Sequence, residues 1–284
     1  MAIPIAAITD EFSFDLDTAL EAMAQVGMTG AELRLIGDRN IVDFSDDEVA
    51  RVRERVEQRG MQVLSIASPV LKCVLPDAPP LDERFQQDVF GSSYTIADQP
   101  RLSKRAFEVA ERAGAKIIRV FSYWRTTAPE QCLDRIVTAL RDLADRAADR
   151  GLIIGLENEH ACNVATGVEA GRVLAALDHP ALKSIWDPAN ASILGEVPFP
   201  DGYAALPHHR IAHVHAKDCV VQGQNPTWGP LGEMGIDWRG QIAALKRDGY
   251  AGAISLETHW RGPDGDRLRA SVICGEKLRT LAAA

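Results

Sequence analysis

The chain has 284 residues, 46% of them hydrophobic, and a formal net charge of −9 at pH 7. That length suits one large domain, since barrels of about 250 residues fold as a unit. The acidic balance, with no run of Lys and Arg to override it, argues against a nucleic-acid partner.

The amino-terminal MAIPIAAITDEF is briefly apolar but lacks the basic lead of a secretory signal. No run approaches the roughly 18 apolar residues that span a membrane. Cys73, Cys132, Cys162, Cys219 and Cys274 are scattered without CxxC spacing. They read as free thiols in a reducing compartment, so a cytoplasmic protein without a membrane partner is expected.

Short apolar runs recur along the chain, separated by helical patterns. IAAIT (5–9) and GAELR (30–34) are the first two predicted strands. The helix after the second opens at Ser45, with Glu48 completing a capping box, and its pattern closes at Gly60. QVLSIAS (62–68) is the third strand, and an oversized Pro-rich connection (69–100) follows it. A connection that long is expected to act as a lid or binding loop. KIIRVFS (116–122) and LIIGLEN (152–158) follow, then a helix with a second capping box at Thr166 and Glu169. LKSIWDP (182–188), IAHVHAKD (211–218) and GAISLET (252–258) complete eight strands, with Asp237 predicted to cap the helix between the last two. Gly27, Gly114, Gly151 and Gly249 close helical patterns just before strands.

Eight strand–helix units in a single domain (1–284) predict an α/β fold of the (β/α)8 TIM-barrel type. A doubly wound sheet would carry a glycine fingerprint after the first strand, and ITDEFSFD has none. GPLGEMG (229–235) does not lead from a strand into a helix.

In such a barrel the carboxyl ends of the strands converge on one mouth. Strands five to eight end in Glu157, Asp187, His215 and Glu257. Three carboxylates buried together are costly unless a cation compensates them, which predicts a shared divalent ion. The donor set is three oxygens and one imidazole with no thiolate, so Mn²⁺, Mg²⁺ or Co²⁺ fits better than structural zinc, and Zn²⁺ is compatible. Strand alternation places His213, His215 and Lys217 on one face. His215 is the candidate ligand. His213 lies one layer deeper, bonded to a ligating carboxylate or serving as core polarity. Lys217 is expected at the rim, to hold an oxyanion or to pair with Asp218.

The segments GLENEH, SIWDPAN, HVHAKD and GIDWRGQIAALKRDGYAGAISLE, with GAELR, resemble the sugar phosphate isomerase/epimerase superfamily, the xylose-isomerase-like TIM barrels. The resemblance covers nearly the whole chain. It implies one divalent ion, most often Mn²⁺, on Glu157, Asp187, His215 and Glu257, and catalytic proton transfer by Glu157 and Glu257. It also implies a sugar or cyclitol substrate and allows a homo-oligomer (dimer or tetramer). Three positions depart from the ketose 3-epimerase pattern, where Asn190, Val221 and Asn163 replace a histidine, an arginine and a glutamate. The chain has too few suitably placed histidines for the three-zinc cluster of a nuclease member.

Candidate substrate contacts are Asn190, Lys217, Asp218, Glu159, Trp124, Trp228 and His259. His160, Arg125, Glu233, Trp260 and Arg261 are further pocket candidates, whereas Trp186 and Trp238 are assigned to packing. The expected activity is a metal-dependent isomerase or epimerase working through an enediolate. The alternatives are a dehydratase or lyase of a keto-cyclitol or 3-keto-glycoside, or a non-catalytic ligand-binding barrel.

Overall fold

The structure is a computed structural model describing residues 2–85, 93–223 and 225–284. Eight parallel strands close into one barrel. They are β1 (Ile5–Ile8), β2 (Gly30–Leu33), β3 (Gln62–Val70), β4 (Ile117–Val120), β5 (Ile153–Glu157), β6 (Leu182–Trp186), β7 (Ile211–Ala216) and β8 (Ile254–Leu256). Closure occurs where β1 pairs with both β2 and β8. Each strand coincides with a predicted one. The apolar runs are covered on both faces, as parallel strands require.

Helices wrap the barrel with their apolar faces inward. Asp46–Glu57 carries the predicted capping box at Ser45 and Glu48. It ends three residues before Gly60, which takes a left-handed turn (φ 71°) after an intervening turn. Gly167–Ala176 carries the box at Thr166 and Glu169, and Asp237 caps Trp238–Arg247. The connection from β6 to β7 departs from the repeat: its α-helix is the six-residue Pro188–Ile193. Trp186 and Trp238 are fully buried, as expected.

The long connection after β3 is pinned beside the segment after β4. Leu81 bridges Thr126, and the Asp82 amide donates to the Arg125 carbonyl (2.9 Å). The lid expected over 69–100 includes residues 86–92, which lie outside the described residues. At the mouth, Leu71, Tyr123 and His259 adopt left-handed backbone (φ 62°, 62° and 54°), just past β3, β4 and β8. Non-glycine residues in that region tend to cluster at functional sites.

Candidate active site

Glu157, Asp187, His215 and Glu257 come together, each offering a donor atom within 4.8 Å of the others. All four are buried. His215 Nδ1 lies 3.0 Å from Glu157 Oε1 and 3.4 Å from Glu257 Oε2. Asp187 divides its work. Its Oδ1 caps the short helix by accepting from the Asn190 amide (2.9 Å), which leaves Oδ2 for the cluster. Asn158 fixes the Asp187 backbone, accepting from its N–H (2.8 Å) and donating to its carbonyl (2.8 Å).

Two carboxylate oxygens in this group, Glu157 Oε2 and Asp187 Oδ2, are buried without a hydrogen-bond partner among the described residues. Cations approach both without hydrogen-bond alignment: Arg119 at 3.3 Å from Glu157 Oε2 and Lys217 at 2.7 Å from Asp187 Oδ2. Buried carboxylate oxygens without hydrogen bonds are what a site for a hard cation offers.

Lys217 is not at the rim. It is 1% exposed, with Nζ between Asp187 Oδ2 and Glu257 Oε2 (2.9 Å). Burial disfavours its charge, but Asp187 and Glu257 hold its pKa well above the ordinary lysine value. Burial also pushes Asp187 up to about 6, more than Lys217 draws it down. Glu257 goes the other way. Burial raises it, yet Lys217, His215 and His259 keep it well below the usual carboxylate range.

Residues that the sequence reading did not select brace the cluster. Arg34 donates to Glu257 Oε1 (2.8 Å), twice to Asp10 and once to Glu11. It thereby ties the ends of β1, β2 and β8 together. Glu32 reaches across the barrel from β2 to both β7 histidines.

The expected substrate contacts separate into two groups. Glu159, His160 and Asn190 form a chain: His160 Nδ1 lies 2.8 Å from Glu159 Oε1 and 3.0 Å from Asn190 Oδ1. Burial lowers the His160 pKa, but Glu159 raises it further, to a net value above the ordinary one. Trp228 packs at a tilt of 56° on His259, with ring centroids 4.8 Å apart, and Lys72 lies over Phe121 and Trp124.

Asp218 is turned away from this group. Its carboxylate accepts from the amides of Gly232, Met234 and Ile236, because the loop before Trp238–Arg247 leaves those donors unpaired. Arg125 is spent on Glu169 and on the carbonyls of Cys162 and Asn163. Glu233 pairs with Lys277 on the outside.

Residues 20–278 match the family described as xylose isomerase-like TIM barrel. The chain belongs to the xylose isomerase-like TIM barrel family. Two curated relatives are enzymes. The chain is 27% identical over 282 residues to a 3-dehydroshikimate dehydratase of Pseudomonas aeruginosa, covering 96% of this chain and 40% of that one. It therefore spans less than half the length of that relative. It is 26% identical over 257 residues to a ketose 3-epimerase of Arthrobacter globiformis, covering 88% of this chain and 71% of the epimerase. Among solved barrels of this family type, the IolI protein with a binding zinc atom superposes with a TM-score of 0.71. That likeness covers 99% of this chain and 95% of the other at 17% identity, and it concerns the fold. No helix among the described residues is long and apolar enough to cross a membrane.

Proposed function

We propose that this family member is a divalent-metal-dependent enzyme that moves a proton next to a carbonyl of a sugar, keto-sugar or cyclitol. The observation that carries the reading is the buried meeting of Glu157, Asp187, His215 and Glu257, with two carboxylate oxygens lacking hydrogen bonds. These four residues would hold the ion, and the hard donor set favours Mn²⁺, with Mg²⁺, Co²⁺ or Zn²⁺ compatible. A bound ion would supply Lewis-acid polarisation of the carbonyl and acidify the neighbouring C–H.

The chain's own groups do the rest. Glu157 and Glu257 are the acid–base pair of the cluster: one takes the proton from carbon, and either the same carboxyl gives it back or the other, itself protonated, gives its own to the enediolate carbon. Arg34 fixes Oε1 of Glu257, so Oε2 is the oxygen turned toward the site. The Lys217 ammonium stabilises negative charge developing beside Asp187 and Glu257. Trp124 and Trp228 offer flat apolar walls to sugar C–H faces, while Glu159 and His259 serve hydroxyls. Asp218 supports the wall without touching substrate.

A dehydratase reading has specific support. Where the epimerase pattern has a glutamate, Asn163 gives its side chain to the backbone of Ser122, Trp124 and Thr126. Asn190 is likewise engaged, with Asn158 and His160. Both positions that depart from the epimerase pattern thus have their side chains occupied within the protein. Against burial, Glu159 shifts His160 toward its protonated form, the form that would protonate a departing hydroxyl.

The test is incubation of Mn²⁺-loaded protein with ketoses and keto-cyclitols in D₂O, read by NMR and mass spectrometry. Solvent deuterium in a product of unchanged formula marks isomerisation or epimerisation. Loss of water marks dehydration. A substrate panel that binds by calorimetry, with neither exchange nor product, would leave a ligand-binding barrel instead.

A further inference from the structure

Below the metal-competent group, one carboxylate serves two histidines. Glu32 is fully buried and sits across the barrel from β7. His213 Nε2 makes a short contact to Glu32 Oε1, and His215 Nε2 lies 3.3 Å from the same oxygen and 3.4 Å from Oε2. The other nitrogen of His215, Nδ1, faces Glu157 and Glu257. The ring is therefore held by its two edges. Its lower edge donates to Glu32, and its upper edge is turned to the candidate ion.

His213 continues the line downward. It lines a cavity of about 650 Å³ on the amino-terminal face of the barrel, together with Gln62, Lys116, Gly252 and Ala253. The line thus runs from the mouth to the opposite face through His215, Glu32 and His213.

We propose that Glu32 and His213 are positioning residues for the metal centre. Glu32 fixes His215 as the tautomer whose Nδ1 lone pair points to the ion, and His213 fixes Glu32. This rests on the metal-binding reading above. A ligand histidine that donates its far N–H to a carboxylate gains both orientation and basicity, and losing that partner weakens metal affinity about 10- to 100-fold. Glutamine at position 32 keeps the size but removes the negative charge and one of the two acceptor oxygens, so a single uncharged oxygen must serve both rings.

The experiment measures Mn²⁺ affinity by chelator competition in the wild type, Glu32→Gln and His213→Ala, with circular dichroism to establish folding. Both variants are expected to bind Mn²⁺ about 10- to 100-fold more weakly. Exogenous imidazole is expected to restore His213→Ala, because the deleted ring opens into the lower cavity, and to leave Glu32→Gln unchanged. A merely structural role for His213 would give no such rescue. Wild-type affinity in folded Glu32→Gln overturns the inference, as does a His213→Ala defect that imidazole does not repair. If Glu32→Gln fails to fold, the imidazole response of His213→Ala decides. Failure of the wild type itself to hold Mn²⁺ removes the metal reading instead, and this inference with it.

Discussion

Lys217→Met isolates the electrostatics of the site. The ammonium is 1% exposed and lies 2.7 Å from Asp187 and 2.9 Å from Glu257. Methionine fills similar volume but leaves both carboxylates without that cation. Breaking a buried pair by removing one partner costs about 3–5 kcal/mol. Unfolding entropy of roughly 2.1 cal/mol/K per residue gives about 0.6 kcal/mol/K for 284 residues, so the ion-free variant should melt about 5–8 °C lower. Mn²⁺ at 100 times its Kd stabilises the folded state by about 2.7 kcal/mol. The Mn²⁺-induced rise in Tm should be larger in the variant than in the wild type, because the ion no longer meets an ammonium beside its ligands. Scanning calorimetry in chelator and in Mn²⁺ reads both effects. A variant that melts within a degree of the wild type in chelator would refute the compensating role.

Other outcomes follow from single features. Asp187 is lifted to about 6, and His215 is held protonated well above the ordinary histidine value by Glu157 and Glu32, against burial. An ion must displace both protons below about 6, so Mn²⁺ affinity should climb by roughly two decades per pH unit there and by about one above. The sign for the ion-free protein is opposite. A carboxyl raised from 3.8 to about 6 contributes stability at low pH that is lost as pH rises through about 6, and urea titrations across that window would detect it. Burial pushes the thiols of Cys73 and Cys219 up to about 11 and 12, so Ellman's reagent at pH 8 should modify neither in the folded protein and both in guanidinium. A Cβ at Gly167 would lie 2.2 Å from the Gly202 carbonyl oxygen, backbone that cannot rotate away. Gly167→Ala should cost about 1–3 kcal/mol by chemical denaturation.

The barrel was legible because each strand is an apolar run with a helix signal behind it. The four candidate ligands were legible for the same reason, since an acid or histidine directly past such a run stands out. Their supports were not. Arg34 and Glu32 lie in GAELR, a segment whose alternation reads as an ordinary half-polar strand, and their partners are distant in sequence. Arg119 is hidden in the same way within β4. Lys217 was placed at the rim because a lysine normally seeks water, and two buried carboxylates overrode that preference. Asp218, Arg125 and Glu233 sit near the right strands but satisfy loop amides, loop carbonyls and a helix lysine. Periodicity carries no information about such local hydrogen-bond demand.

Arg34 also sets a clock. Its guanidinium joins the ends of β1 and β2 to Glu257, 223 residues later in the chain. A ribosome adds about 5–20 residues per second, so roughly 10–45 seconds separate the synthesis of the two partners. Asp10 and Glu11, which also accept from Arg34, precede it in the chain, so of these three carboxylates only Glu257 is made late. The centre is therefore incomplete until β8 has been made. A nascent chain arrested before residue 257 would lack one of the four candidate ligands.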